Sequence, residues 1–320
     1  MPRPRPLPAA LGDAFHVREA FDAGVSRQRL SRSDLASPFH GIRTTGRADA
    51  VAADPYARQA AARREGARIY WHRLRRGQFF SHETAAALWR APVPLLFHER
   101  RIAQPTETPL HVSTLGDGPL VRTAGVTGHR ARPLTTCLAS IDGMPVSSPA
   151  TTWASLGRLP LIDLVALGDY FCRAWRVGHG RPSAGTPPLA TPDDLRRAIA
   201  AGRRVGIRRL REAIDLVRED SWSPRESAVR CHLVLAGLPE PRLNHDVYSH
   251  GRFIACVDLA YPERKVAIEY QSLIHADRYA ADVERIAALR AAGWTVIEVT
   301  SSLFAAPDVL VARVRAALRR

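Results

Sequence analysis

At 320 residues with 46% hydrophobic content, the chain is long enough for two or three domains with separate cores and too apolar for wholesale disorder. It carries 46 Lys and Arg against 31 Asp and Glu, a net charge of +15, which points to a polyanionic partner, with nucleic acid ahead of an anionic membrane surface. No segment approaches the ~20 continuous apolar residues of a membrane span. Met1-Pro2-Arg3-Pro4-Arg5-Pro6 reads as a basic tail rather than a signal peptide. Cys137, Cys172, Cys231 and Cys256 form no CxxC pair. Neither a disulfide framework nor a structural zinc is therefore expected, and the expectation is a reduced, cytoplasmic protein without a membrane partner.

In chain order, the first block (residues 1–50) is a basic tail followed by a helix over Phe15–Ala23, ended by Gly24. Ser26 then caps Arg27-Gln28-Arg29-Leu30. Ala20, Gly24 and Leu30 have the spacing of a helix-turn-helix, and Phe39–Thr44 reads as the wing of a winged helix. Arg27, Arg29 and Arg32 would then face DNA phosphates or guanine edges. The alternative is a small helical hairpin with a solvated basic face.

The second block (51–218) reads as a middle α+β domain. Helices are expected over Tyr56–Leu74, from a Ser81 cap to Trp89, over Thr151–Leu156 and over Leu161–Trp175, with strands at Leu110-His111-Val112 and Val121-Arg122. Gly178–Pro192 is a loop, and Asp193–Val217 is an arginine-studded helical region. His82, His111 and His129 show no ligand spacing and read as surface or hydrogen-bonded histidines.

The third block (219–320) is the most regular. Ser223-Pro224-Arg225-Glu226 opens a helix to Leu235, and Gly237 ends it. Strands follow at Leu243–Tyr248, Phe253–Ala260 and Lys265–Gln271. A helix over Arg278–Ala292 buries Tyr279, Val283, Ile286 and Leu289. Strand Thr295–Thr300 and a helix from Pro307 complete the block. A hairpin through Pro262-Glu263-Arg264-Lys265 pairs Tyr261 with Val266, Leu259 with Ile268 and Asp258 with Glu269, and it puts Glu269 and Gln271 on one face. Two opposed carboxylates in apolar strands repel one another and call for a cation, most naturally a divalent metal with oxygen ligands.

This α-β-β-β-α-β order, with Glu226 in the first helix, Asp258 on the second strand and Glu269-Tyr270-Gln271 on the third, resembles the PD-(D/E)XK nuclease superfamily. The run Asp258–Pro262, Ile268–Gln271, His275 and Gly293-Trp294-Thr295-Val296-Ile297 resembles its very-short-patch-repair-endonuclease-like branch. Residues 10–175 more weakly resemble the winged-helix and following domain of abortive-infection type IV antitoxins. The resemblance implies a multidomain α/β protein with an αβββαβ restriction-endonuclease-like core. It implies Mg²⁺ or Mn²⁺ held by Asp258, Glu269 and the Tyr270 carbonyl, with Glu226 assisting. Gln271 would stand at the superfamily's lysine position, and His275 would act as acid or base. Arg278 and Arg285, on the following helix, are candidates for phosphate contacts, although Asp282, Glu284 and Arg285 also read as a solvated face. DNA is the expected partner, and a homodimer is left open. Two functions follow: a metal-dependent DNA endonuclease in repair or phage defence, or a non-enzymatic DNA-binding regulator of the antitoxin type with a degenerate nuclease domain. Gln271, which can neither carry charge nor take a proton, and Ser272 after it favour the second.

Overall fold

The computed structural model describes residues 5–45, 54–179, 181, 183–271 and 276–320, with side chains of the last stretch from 281 onward. The architecture is mixed α/β and divides into two compact units, Met1–Gly157 with Arg197–Gly206, and Arg158–Arg196 with Ile207–Arg320.

The first unit opens with β1 (Ala14–His16), α1 (Val17–Asp22), α2 (Arg27–Leu30) and β2 (Ile42–Thr44). The helix read from Phe15 begins two residues later, because Phe15 and His16 pair with Arg43 and Ile42 in a two-stranded sheet. A capping box then starts α1: His16 Nδ1 accepts from the Arg18 N–H, and Glu19 accepts from the His16 N–H. Gly24, at φ 77, ends it, and Ser26 caps α2 through the Arg29 N–H. Ala20, Val25 and Leu30 pack with Leu11, Phe15 and Leu35 in a small core. Phe39–Thr44 is part turn and part strand, and its strand pairs back on β1.

The unit continues through α3 (Pro55–Tyr70), β3 (Gln78–Phe80), α4 (His82–Leu88), β4 (Phe97–His98), β5 (Arg101–Ile102), β6 (Leu110–Leu115), β7 (Val126–Ala131), β8 (Leu138–Ile141), β9 (Met144–Ser147) and α5 (Pro149–Ser155). Strands β7-β6-β3-β9-β8 form a mixed sheet in which β6 and β7 run parallel. Val121-Arg122 is not a strand; it lies in the loop that leads into β7. Gly128 admits that loop: a Cβ there would stand 2.3 Å from the Val121 carbonyl oxygen. Ser81 does not cap α4 with its side chain, because its hydroxyl is engaged by His82 and Ser113 instead.

The second unit contains α6 (Leu161–Cys172), part of α7 (Pro192–Ala200), α8 (Ile207–Leu216), α9 (Pro224–Leu235), β10 (Arg242–Ser249), β11 (Arg252–Tyr261), β12 (Val266–Tyr270), α10 (Ala276–Ala291), β13 (Thr295–Val299), α11 (Ser301–Phe304) and α12 (Pro307–Leu318). The helix read as Leu161–Trp175 stops at Cys172, and the region 193–217 is two helices separated by a turn ending at Gly206, φ 72. Strands β10-β11-β12-β13 form one sheet, antiparallel except for the parallel β12–β13 pair.

The hairpin register is Leu259 with Ile268, Ala260 with Ala267 and Tyr261 with Val266, as the sequence pattern requires, but the expected Asp258–Glu269 pair is not formed, because Asp258 Oδ2 takes the Tyr270 N–H instead. On one face Leu259, Tyr261, Val266 and Ile268 pack against Val229 and Leu233 of α9 and against Leu310, Val311 and Val314 of α12. On the other, Ala260 and Ala267 pack with Leu289 of α10 and with Trp294. Val283 of α10, expected inside, is 44% exposed, whereas Ile286 and Leu289 are buried. Tyr279 falls among the side chains outside the described set.

Candidate functional site

Strict alternation along β11 would put Val257 and Ala260 on opposite faces, yet both belong to the α10-side cluster. The pattern therefore slips once between them, at Asp258. On the facing strand Asn244 stands in the left-handed region at φ 45, and the Asn244–Asp258 rung is skipped while the register is the same on either side. This irregularity holds Asp258 at the point where α9, β11 and β12 meet.

Three carboxylates converge there. Glu226, one turn into α9, is buried, and its Oε2 accepts from the Trp222 N–H at 2.9 Å and from Asn244 Nδ2 at 3.0 Å. Ser223 caps the helix through the Glu226 N–H at 3.1 Å, while the Glu226 carboxylate meets Asn244. Asp258 is half-buried; its Oδ2 accepts from the Tyr270 N–H at 2.8 Å, which replaces the next rung of the strand pair. Glu269 is buried and meets Arg285 Nη1 at 2.8 Å. Each of the three uses only one of its carboxylate oxygens in these bonds.

Burial, reinforced by the neighbouring Asp258 charge, pushes Glu226 up to about 7. The same two causes push Glu269 up to about 8, despite the opposing pull of Arg285. Burial also raises Asp258. Asp258 is thus the charge common to both glutamates, and burial beside it makes both hold their protons more readily than free carboxyls do.

Because the unfolded chain ionises Glu226 near the ordinary 4.5, it releases this proton before the folded protein does. Stability is fully present below about pH 4.5 and falls as pH rises toward 7. Glu226→Gln, which keeps a carbonyl acceptor for Trp222 and Asn244, is expected to remove this loss. At about 1.4 kcal/mol per unit and roughly 2–4 °C per kcal/mol, its Tm relative to wild type rises by several degrees between pH 5 and pH 8 without divalent metal. A difference independent of pH in differential scanning fluorimetry would overturn the assignment.

The other residues singled out from the sequence separate into three groups. Gln271 shares the face of Glu269, and its Nε2 lies 3.5 Å from Glu298 Oε2 on β13. The Tyr270 ring packs edge-on to Phe304, with the Arg225 guanidinium over both rings. Arg285, read as a phosphate contact, is instead tied to Glu269 and to Asp282 at 3.3 Å. His275 and the Arg278 side chain lie outside the described residues. In the first unit Arg27 and Arg32 are exposed, but Arg29 forms a bidentate pair with Asp34 at 3.0 and 2.8 Å and also donates to the Arg5 carbonyl. Its guanidinium is thus engaged within the unit, unlike those of a free basic surface.

Sequence reasoning missed two contributors. Asn244 orients Glu226, but nothing in the sequence marks its left-handed backbone. Beside it is a hollow of about 700 Å³ lined by Arg176, Arg181, Arg218 and Arg242. These arginines pair with Asp220, Asp246, Glu240 and Glu263 respectively, so the hollow is less cationic than its arginines suggest.

The histidines read separately in the first unit are in fact neighbours. Rings of His82 and His129 stack at 3.8 Å between centroids, and His111 Nδ1 lies 2.9 Å from His129 Nε2. Burial lowers all three, taking His82 down to about 3. His111 and His129 lie on adjacent parallel strands, a pairing that no local pattern announces.

The chain is 33% identical over 222 residues to two Mycobacterium tuberculosis proteins, "Uncharacterized protein MT2308" of strain CDC 1551 / Oshkosh and "Uncharacterized protein Rv2248" of strain ATCC 25618 / H37Rv. The match covers 67% of this chain and 76% of each relative, and the chain belongs to their family. No protein-family model matches it, and no solved structure matches it. Among the described residues no helix is long and apolar enough to cross a membrane.

Proposed function

We propose that the second unit is a metal-dependent DNA endonuclease of the restriction-endonuclease-like type that the sequence resembles. The observation that carries this reading is the convergence of Glu226, Asp258 and Glu269 from three elements at the break in the β11 alternation, with both glutamates pushed up by burial and by the Asp258 charge. The donor set is all oxygen, which suits Mg²⁺ or Mn²⁺. Among the described residues these three acids do not form a trio with donor atoms within 4.8 Å of one another. Mg²⁺ is commonly held by one or two carboxylates and water rather than by an all-protein cage.

Asp258 and Glu269, with the Tyr270 carbonyl, would hold the ion. Bound there, it would polarise a phosphate and acidify water. Arg285 favours the ionised form of Glu269 and holds its Oε1. Glu226, held near 7, is able to take a proton at neutral pH. Gln271 offers an amide to position water or phosphate. In the first unit the winged-helix reading narrows to the exposed Arg27 and Arg32, on and just after α2. Plasmid incubated with the pure protein and Mg²⁺ or Mn²⁺, beside Asp258→Asn and Glu269→Gln, tests the proposal. Equal nicking by all three proteins, or none with any metal, would reject it.

A second reading, a DNA-binding regulator without catalysis, draws on Gln271, which can neither carry charge nor take a proton. It predicts salt-dependent duplex binding with no metal requirement. Arg27→Ala with Arg32→Ala is then expected to flatten the slope of log K against log salt by about 0.9 for each phosphate that is no longer neutralised. An unchanged slope removes the N-terminal contribution.

A further inference from the structure

We propose that His82, His111 and His129 form a binding site for a divalent transition metal of the zinc class, separate from the carboxylate cluster. One ligand nitrogen from each ring lies within 4.8 Å of the others. The three come from the first residue of α4, from β6 and from β7, so the sheet and the helix start fix their relative positions.

The surroundings of the rings match what a histidine metal site needs. Metal-ligating histidines characteristically donate their other ring nitrogen to a carboxylate or to another fixed acceptor. His111 Nε2 lies 3.3 Å from Glu83 Oε2, a buried oxygen with no hydrogen-bond partner, and this aims Nδ1 at His129 Nε2. His82 Nδ1 is held 2.9 Å from Ser81 Oγ, which itself accepts from Ser113 Oγ at 2.8 Å. One proton between His111 and His129 would satisfy that contact alone. It would not explain why a third imidazole is stacked onto the pair from a backbone at φ 51, a conformation that costs a non-glycine residue energy.

Three imidazoles, with no cysteine in the ligand group found among the described residues, suit zinc and its neighbours rather than Mg²⁺. Three protein ligands also leave a fourth position for water or an anion. His82, Ser81 and Ser113 line a cavity of about 310 Å³ that also carries Arg130, Arg132, Arg203 and Arg204, so an anionic fourth ligand would be favoured. Arg63, on α3, repels a cation, and Glu83, whose charge acts on both Arg63 and His111, compensates it.

The test is equilibrium dialysis of the untagged full-length protein against Zn²⁺, with metal quantified by atomic emission. One equivalent per chain is expected, lost in His111→Asn and in His129→Gln and retained in the exposed-residue control His98→Asn. Glu83→Gln should weaken affinity by about 10–100-fold while keeping the stoichiometry at saturating metal. X-ray absorption on Zn²⁺-loaded wild type, which depends on no variant folding, should report three imidazole ligands. No retained zinc, full retention by His129→Gln, or sulfur in the absorption shell would overturn the site.

Discussion

Asp258→Asn and Glu269→Gln are each expected to lower the Mg²⁺-dependent nicking rate of supercoiled plasmid by at least about 100-fold. This loss corresponds to part of the several kcal/mol that a bound metal contributes to such a transition state, at about 1.4 kcal/mol per factor of ten. Both amides leave the fold's hydrogen bonds in place. An asparagine side chain at position 258 would still accept from the Tyr270 N–H, and a glutamine at position 269 would still present an oxygen to Arg285. Loss of activity would then report loss of charge at the site rather than collapse of the hairpin. A thermal readout runs in parallel: a metal bound only by the folded state adds about 2.7 kcal/mol of stability at a hundred times its Kd. Millimolar Mg²⁺ should raise the Tm of wild type and leave both variants unmoved. Nicking by the amide variants at the wild-type rate would refute metal catalysis at these carboxylates.

Arg230→Leu is expected to cost about 3–5 kcal/mol, enough to unfold much of the second unit at physiological temperature. Arg230 is fully buried on α9. Its Nη2 meets Asp169 Oδ2 on α6 at 3.0 Å and the Leu216 carbonyl at 2.7 Å, while its Nη1 meets Glu240 at 3.0 Å. Asp169 also accepts from Ser227 Oγ and from the Arg218 N–H, both at 2.7 Å. Removing the guanidinium leaves the Asp169 carboxylate buried without its countercharge. The double variant Asp169→Leu with Arg230→Leu is expected to lose less than either single change, since no unpaired charge remains. Urea unfolding distinguishes the cases; additive losses would refute the pairing argument. Because Glu226 lies one turn before Arg230 on the same helix, this pair also fixes the site from behind.

Local chemistry made much of this legible. Ser26 and Ser223 cap helices, Gly24 and Gly237 take the positive φ that ends them, and period-two alternation placed Leu259 opposite Ile268 and Tyr261 opposite Val266. Where a residue's role depends on something distant in sequence, pattern reading failed. Arg29 looked like a DNA contact, but Asp34 and the Arg5 carbonyl claim it. Arg285 looked free for phosphate, but Glu269 holds it. Val283 fits the apolar stripe of α10, yet it lies toward solvent.

By itself, the sequence determined the Ser26 and Ser223 caps, the Gly24 and Gly237 helix stops and the β11–β12 register from Leu259 to Tyr261. These follow from hydrogen bonding and side-chain alternation over a few residues. Only the tertiary structure decided that Asn244 would hold Glu226, that Arg230 would be buried against Asp169, and that three scattered histidines would stand side by side. Those contacts join residues 18 to 61 positions apart, and the chain brings them together only when packing of the sheets and helices has fixed the distances between elements.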